Sequence, residues 1–136
     1  MKGLFIKAGW AYNDSEYINA EETVNGLRPT SSGGENNVNW YTSYTFSTNK
    51  LEGLGFGFGG NFYGKNYLIN NTRNGQFYTN EYTLINANIF YDQPKYRLSI
   101  NAENLGNEEY YFGGGGGGSF TPGMLRRITA SLTLKI

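Results

Sequence analysis

Cysteine and histidine are both absent from the 136 residues of this chain. Without thiols there are no disulfide frameworks, thiolate metal sites or cysteine nucleophiles. Without imidazole the commonest general base is missing, and catalytic triads and imidazole metal clusters go with it. Most enzyme classes become poor readings at this point, and the chain is read as a non-enzyme. A net charge is lacking too: 11 basic and 11 acidic residues cancel, so no field steers the chain toward nucleic acid or acidic substrates. Hydrophobic residues make up only 38% and mean hydropathy is −0.53. No stretch approaches the roughly 18 apolar residues of a membrane helix. The opening Met1-Lys2-Gly3 leads into an alternating segment, not the apolar core of a signal peptide.

What is abundant points elsewhere. There are 12 Tyr, 9 Phe and 20 Gly, residues that disfavour helix. The length suits one ordinary domain. Low hydropathy does not exclude a membrane β-barrel, whose strands are apolar on one face only.

Alternation of period two recurs in six segments. In residues 3–13, Leu4, Ile6, Ala8, Trp10 and Tyr12 oppose Phe5, Lys7, Gly9 and Asn13; in 38–47, Val38, Trp40, Thr42, Tyr44 and Phe46 oppose Asn39, Tyr41, Ser43 and Thr45. In 53–66, Leu54, Phe56, Phe58 and Phe62 oppose Gly55, Gly57, Gly59 and Asn61; in 81–92, Ile85, Ala87, Ile89 and Tyr91 oppose Asn86 and Asn88. Residues 96–104 set Leu98, Ile100 and Ala102 against Arg97, Ser99, Asn101 and Glu103. In 125–136, Ile128, Ala130, Leu132, Leu134 and Ile136 stand against Arg127, Thr129, Ser131, Thr133 and Lys135. These segments approach the roughly 9–11 residues of a spanning strand, against about 5–6 for an ordinary one.

The connectors alternate as well. Thr48-Asn49-Lys50-Leu51 and Gln93-Pro94-Lys95 are short, whereas 14–37, 67–80 and 105–124 are long and polar. Outer-membrane barrels pair short periplasmic turns with long extracellular loops. On that parity the first strand runs outward and the sixth runs inward. Aromatics fall near both ends: Trp10, Tyr12, Trp40, Phe62 and Tyr110 by the long loops, Phe46, Tyr91 and Tyr96 by the short turns. Two such bands resemble membrane-interface girdles, although aromatics also favour soluble strands.

Other motifs carry less. Gly55-Phe56-Gly57-Phe58-Gly59-Gly60 has the G-x-G-x-x-G string, but no helix follows and the strand pattern continues through it. Its glycines are read instead as lumen-facing, leaving space for something packed inside. Asp14, Glu16, Glu21 and Glu22 fit no calcium loop, so no metal or other cofactor is expected. Gly113 to Gly118 reads as a flexible run without chemistry. The sequon Asn70-Asn71-Thr72 and the pair Arg126-Arg127 carry no function in this context.

The C-terminal half bears a family resemblance. Tyr96-Arg97-Leu98-Ser99-Ile100-Asn101-Ala102-Glu103-Asn104-Leu105-Gly106-Asn107-Glu108-Glu109-Tyr110-Tyr111 resembles the penultimate strand of TonB-dependent receptors. Thr121-Pro122-Gly123-Met124-Leu125-Arg126-Arg127 is similar to the lead into their final strand. Asn37-Val38-Asn39-Trp40 with Tyr44-Thr45-Phe46, then the Gly-rich run, then Tyr82-Thr83-Leu84-Ile85-Asn86-Ala87, follow the family's order. The likeness covers 37–136 well and 1–36 loosely. It departs in ending on Ile136 rather than an aromatic residue.

The resemblance, closest to ferric-siderophore receptors, implies an all-β antiparallel up-and-down meander of about six long strands. Residues 1–136 would be the C-terminal segment of a transmembrane β-barrel in a Gram-negative outer membrane. The partners implied are lipid, the remaining strands and plug of the receptor, TonB through an N-terminal part not present here, and an iron chelate; nucleic acid is not among them. Six strands cannot close a barrel, since the smallest have about 8. Lys7, Asn39, Asn86, Asn88, Arg97, Asn101, Glu103, Arg127 and Lys135 are expected to face the lumen and to hydrogen-bond a plug or passing ligand. Ile6, Trp40, Phe56, Phe58, Ile89, Ile100, Leu132 and Leu134 are expected to face lipid. The loop aromatics Tyr67, Phe77, Tyr78, Tyr110 and Tyr111 are candidates either to grip a ligand or to join the upper girdle. The rival readings are a small soluble β-barrel or sandwich with an apolar ligand in its core, and a self-contained small outer-membrane barrel needing two further strands.

Overall fold

The computed structural model describes residues 3–113 and 119–136; Met1, Lys2 and most of the Gly113 to Gly118 run lie outside the described residues. Among the described residues ten strands follow in chain order: β1 Leu4–Tyr12, β2 Asn36–Thr45, β3 Leu54–Tyr63, β4 Asn66–Asn71, β5 Gly75–Thr79, β6 Tyr82–Asp92, β7 Tyr96–Glu103, β8 Tyr111–Gly113, β9 Phe120–Pro122 and β10 Arg127–Leu134. The six that carry the period-two pattern form one sheet in the order β1-β2-β3-β6-β7-β10. Every neighbouring pair is antiparallel. The expected meander is therefore the observed one.

Register explains why the pattern matters. Ile6 lies opposite Thr42, Thr42 opposite Phe58, Phe58 opposite Ala87, Ala87 opposite Ala102 and Ala102 opposite Ile128. Pairing preserves parity across all six strands, so their apolar faces merge into one continuous surface. Ile6, Trp40, Phe56, Phe58, Ile89, Ile100, Leu132 and Leu134 all lie on it. That surface is uncovered: Ile6 and Trp10 are 69% exposed, and Ile128 and Leu134 68%. Among the described residues, only Leu68 and Phe90 are buried hydrophobics.

A soluble sandwich would need a second sheet across the apolar face. The other strands make only two-stranded ribbons, β4-β5 and β8-β9, both inserted at the long-loop end. A self-contained barrel fares no better, because these ribbons pair with themselves and β1 and β10 remain the two edges of the sheet.

The ribbons correct the expectation that 67–80 and 105–124 are plain loops. A hairpin signal was present in Asn74-Gly75 between apolar runs. Gly75 takes φ +81°, and the Asn74 N–H donates to Asn71 Oδ1 at 2.6 Å.

Two bands of aromatics lie on the apolar face, with adjustments. Trp10 and Tyr12 are 6.3 Å apart at the long-loop end. At the other end Tyr44, Phe46 and Phe56 cluster at 5.1–6.5 Å, and Tyr91 lies 6.2 Å from Tyr96. Trp40 leaves the band, sitting mid-strand opposite Ala8 and Gly60. Tyr110 leaves it too, because its ring stacks on Tyr82 on the polar side. Ten strand residues rise about 33 Å, which a tilt of about 40° reduces to about 25 Å, the height of a lipid-facing band.

Candidate functional site

Side chains opposite the apolar surface form the second face. Lys7 pairs across with Tyr41, Asn39 with Gly9 and Asn61, Asn86 with Gly59, and Asn88 with Gly57 and Asn101. Arg97 lies opposite Asp92 and Thr133, and Glu103 opposite Arg127. Lys135 continues the parity of Thr133 just past β10. All nine residues named from the sequence thus share one face.

Many of them are already engaged. Arg127 donates from Nε to Glu103 at 2.6 Å. Arg97 lies 3.4 Å from Asp92, and Lys135 Nζ donates to the same carboxylate at 2.5 Å. The Tyr41 hydroxyl donates to Asn88 Oδ1 at 3.2 Å, and Asn86 Oδ1 accepts the Asn104 N–H at 3.0 Å. Among the described residues, no side-chain hydrogen bond engages Lys7, Asn39 or Asn101. Of the three only Asn101 borders a cleft, of about 240 Å³, which it lines with Tyr41, Asn86, Asn88 and Glu103. Asp92 was missed in the sequence. Its position mirrors Arg97 across the short Gln93-Pro94-Lys95 turn, and that symmetry was the available signal.

The glycines of β3 do not leave open space, contrary to expectation. A Cβ on Gly55 would run into the Phe90 ring, and one on Gly57 into the Tyr41 hydroxyl and Asn88. The chain's own aromatics fill these gaps, with the Arg97 guanidinium 4.5 Å from the Phe90 ring centre. Gly60 lies on the apolar face instead, beneath Trp40.

Aromatics concentrate at the long-loop end of the polar face. Tyr63, Tyr82 and Tyr110 form a continuous stack, with centroids 4.9 and 4.5 Å apart and both pairs inclined by 28°. They border a cleft of about 450 Å³ together with Tyr111, Phe112 and the backbones of Gly33, Gly34 and Gly64. A second cleft of about 550 Å³ lies between the β4-β5 ribbon and the third long loop, and Phe77, Tyr78, Tyr110 and Tyr111 line it. Tyr67 lines neither. Its ring faces Tyr78 edge-on at 6.0 Å, and Lys65 Nζ lies 4.9 Å from the one and 4.5 Å from the other. Hydrogen bonding to Tyr67 raises the Lys65 pKa above its ordinary value. Neither Tyr63 nor Tyr82 was among the site residues expected from the sequence, although their polar-face parity at two strand ends was the clue.

Polar anchors hold the long loops. Asn104, only 4% exposed, donates from Nδ2 to the Glu108 and Met124 carbonyls at 2.9 and 3.2 Å, and its Oδ1 accepts the Glu108 N–H at 2.8 Å. Asn107 Oδ1 accepts the Arg126 N–H at 3.0 Å, so both ends of the third loop are tied together. Arg28 donates to the Asn13 and Gly33 carbonyls, closing the first loop. Asn70 Nδ2 reaches the Arg28 carbonyl at 2.8 Å, and Asn66 Nδ2 the Gly113 carbonyl at 2.8 Å. The β4-β5 ribbon thus bridges the first and third loops above the sheet.

No family model matches the sequence, and no curated protein matches it. Solved structures do. FpvAI in complex with pyocin S2 matches with 24% identity and a TM-score of 0.74. FpvA of Pseudomonas aeruginosa bound to a heterologous iron–pyoverdine complex matches with 22% and 0.72. The ferripyoverdine receptor of the P. aeruginosa outer membrane, bound to ferripyoverdine, matches with 23% and 0.70. Each match covers 97% of this chain but 17% of the other. The chain therefore has the fold of a six-strand sector of an outer-membrane receptor barrel, and spans about a sixth of the length of the receptors it matches.

Proposed function

We propose that this chain is the C-terminal barrel sector of a TonB-dependent outer-membrane receptor, supplying wall and extracellular loops to the uptake of an iron chelate. The apolar face meets lipid. The polar face lines the lumen, where Lys7, Asn39 and Asn101 offer hydrogen bonds to a plug or a passing ligand. The chain works as part of a receptor, not as an enzyme; coupling to TonB belongs to a part of the receptor other than these strands.

One observation carries this reading: the six strands β1, β2, β3, β6, β7 and β10 keep a single uncovered apolar surface in register, with short connections at one end and long ones at the other. A surface of that size is unfavourable in water and stable against hydrocarbon. The likeness in fold to ferripyoverdine receptors supports the receptor class.

The two tryptophans, Trp10 and Trp40, both lie on the apolar face, which provides a direct test. In lipid vesicles their fluorescence should be quenched by lipids brominated along the acyl chain and resist aqueous iodide. Strong iodide quenching without any effect of brominated lipid, or a compact monomer in plain buffer, overturns the membrane seating. The uptake step is tested separately by radio-iron chelate binding to cells that display the receptor carrying this sector. Unchanged binding after the three long loops are shortened counts against it.

A further inference from the structure

We propose that the cleft between the β4-β5 ribbon and the third long loop binds a small organic cation, an ammonium or guanidinium group. The inference goes beyond iron uptake and stands without it, because the cleft belongs to the loops whatever passes through the barrel.

Its walls are aromatic. Phe77 and Tyr78 come from the ribbon, Tyr111 and Phe120 from the third loop, and the latter two meet edge to face at 5.4 Å. All four residues remain 45–54% exposed, so the aromatic walls are open to solvent. The volume of about 550 Å³ suits a small molecule.

The charge of the lining is one-sided. Glu81, Glu108 and Glu109 contribute to it, while no lysine or arginine does. In a chain with 11 charges of each sign, an aromatic cleft with three carboxylates and no cation is selective. None of the three carboxylates forms a salt bridge among the described residues. Ring faces attract cations through their quadrupole, and the carboxylates add direct attraction. A neutral apolar ligand gains nothing from the acids, and an anion is repelled by them.

The protein supplies its own precedent. The Tyr78 ring that lines the cleft already carries the Lys65 ammonium at 4.5 Å, shared with Tyr67. Lys65 is not part of the cleft lining. The same ribbon thus holds one cation within the chain, and it turns Phe77 beside Tyr78 toward the cleft.

The test compares choline with 3,3-dimethylbutan-1-ol, its neutral isostere, by calorimetry on the full chain in a non-ionic detergent, with circular dichroism recording the β-structure. Choline should bind at least about tenfold more tightly than the alcohol. The triple variant E81Q/E108Q/E109Q, altered only at exposed side chains, should lose most of that preference, and F77A should weaken choline binding severalfold. Equal binding of the two probes, or a preference untouched in the triple variant, overturns the proposal. Either result is independent of the tryptophan quenching and iron-binding measurements, so failure here leaves the uptake reading standing.

Discussion

Replacing Asn104 by alanine should open the neck of the third long loop while leaving the six-stranded sheet in place. The Asn104 side chain makes three hydrogen bonds, two to Glu108 and one to Met124. Each contributes about 0.5–1.5 kcal/mol net. Glu108 is exposed, so water replaces part of this once the neck opens, leaving about 2 kcal/mol. Asn104 also sits at φ +51°, a conformation that costs alanine roughly 1 kcal/mol. The sum is about 3 kcal/mol, or roughly a hundredfold in the local opening equilibrium at about 1.4 kcal/mol per decade. A glutamate-specific protease acting at Glu108 and Glu109 reads that equilibrium, because cleavage follows the opened population when reclosing is fast. With the chain folded in detergent, Asn104→Ala should be cut there about a hundred times faster than wild type. Asn101→Ala, at a position without a side-chain hydrogen bond among the described residues, is the control and should be cut at the wild-type rate. If Asn104→Ala is cut within twofold of wild type, the neck is held by something other than this side chain.

Two further substitutions probe the sheet. Gly57→Val places a side chain where the Tyr41 hydroxyl and Asn88 now lie; it should cost about 1–3 kcal/mol in denaturant unfolding, and Tyr41→Ala in the same chain should recover much of it. Full additivity of the two changes would refute the packing argument. Ala87→Arg, on the apolar face opposite Phe58 and Ala102, should cost about 2–4 kcal/mol when folding is measured in lipid vesicles, whereas Asn101→Arg on the polar face should cost well under about 1 kcal/mol. Equal costs would mean that lipid does not meet the apolar face.

Much of the fold could be read from the chain because its governing signal is local. Side chains alternate with period two, so Leu98, Ile100 and Ala102 against Arg97, Ser99 and Asn101 declare a two-faced strand without reference to any partner. The run of short and long connectors then orders the six strands as a meander. The ribbon in 67–80 was missed because polar composition outweighed the Asn74-Gly75 turn signal. Its pairing is irregular as well, with the register shifting between Tyr67 and Ile69.

The site was far less legible. A list of polar-face residues does not say which of them satisfy one another. Asp92 meets Lys135 from 43 positions away, Arg127 meets Glu103 from 24, and both depend on cross-strand register. The β3 glycines suggested room for a guest, yet Phe90 and Tyr41 occupy it from neighbouring strands. The stack of Tyr63, Tyr82 and Tyr110 joins two strands and a loop, and no local pattern connects the three.

The six sheet strands, their two faces and their order were legible in the amino-acid sequence alone, because alternation and loop length act within a few residues of chain. Which charges are neutralised, which glycines are filled and where the aromatics gather into clefts follow from packing in three dimensions. Those outcomes depend on register between segments distant in sequence, and a shift of one residue would exchange the two faces.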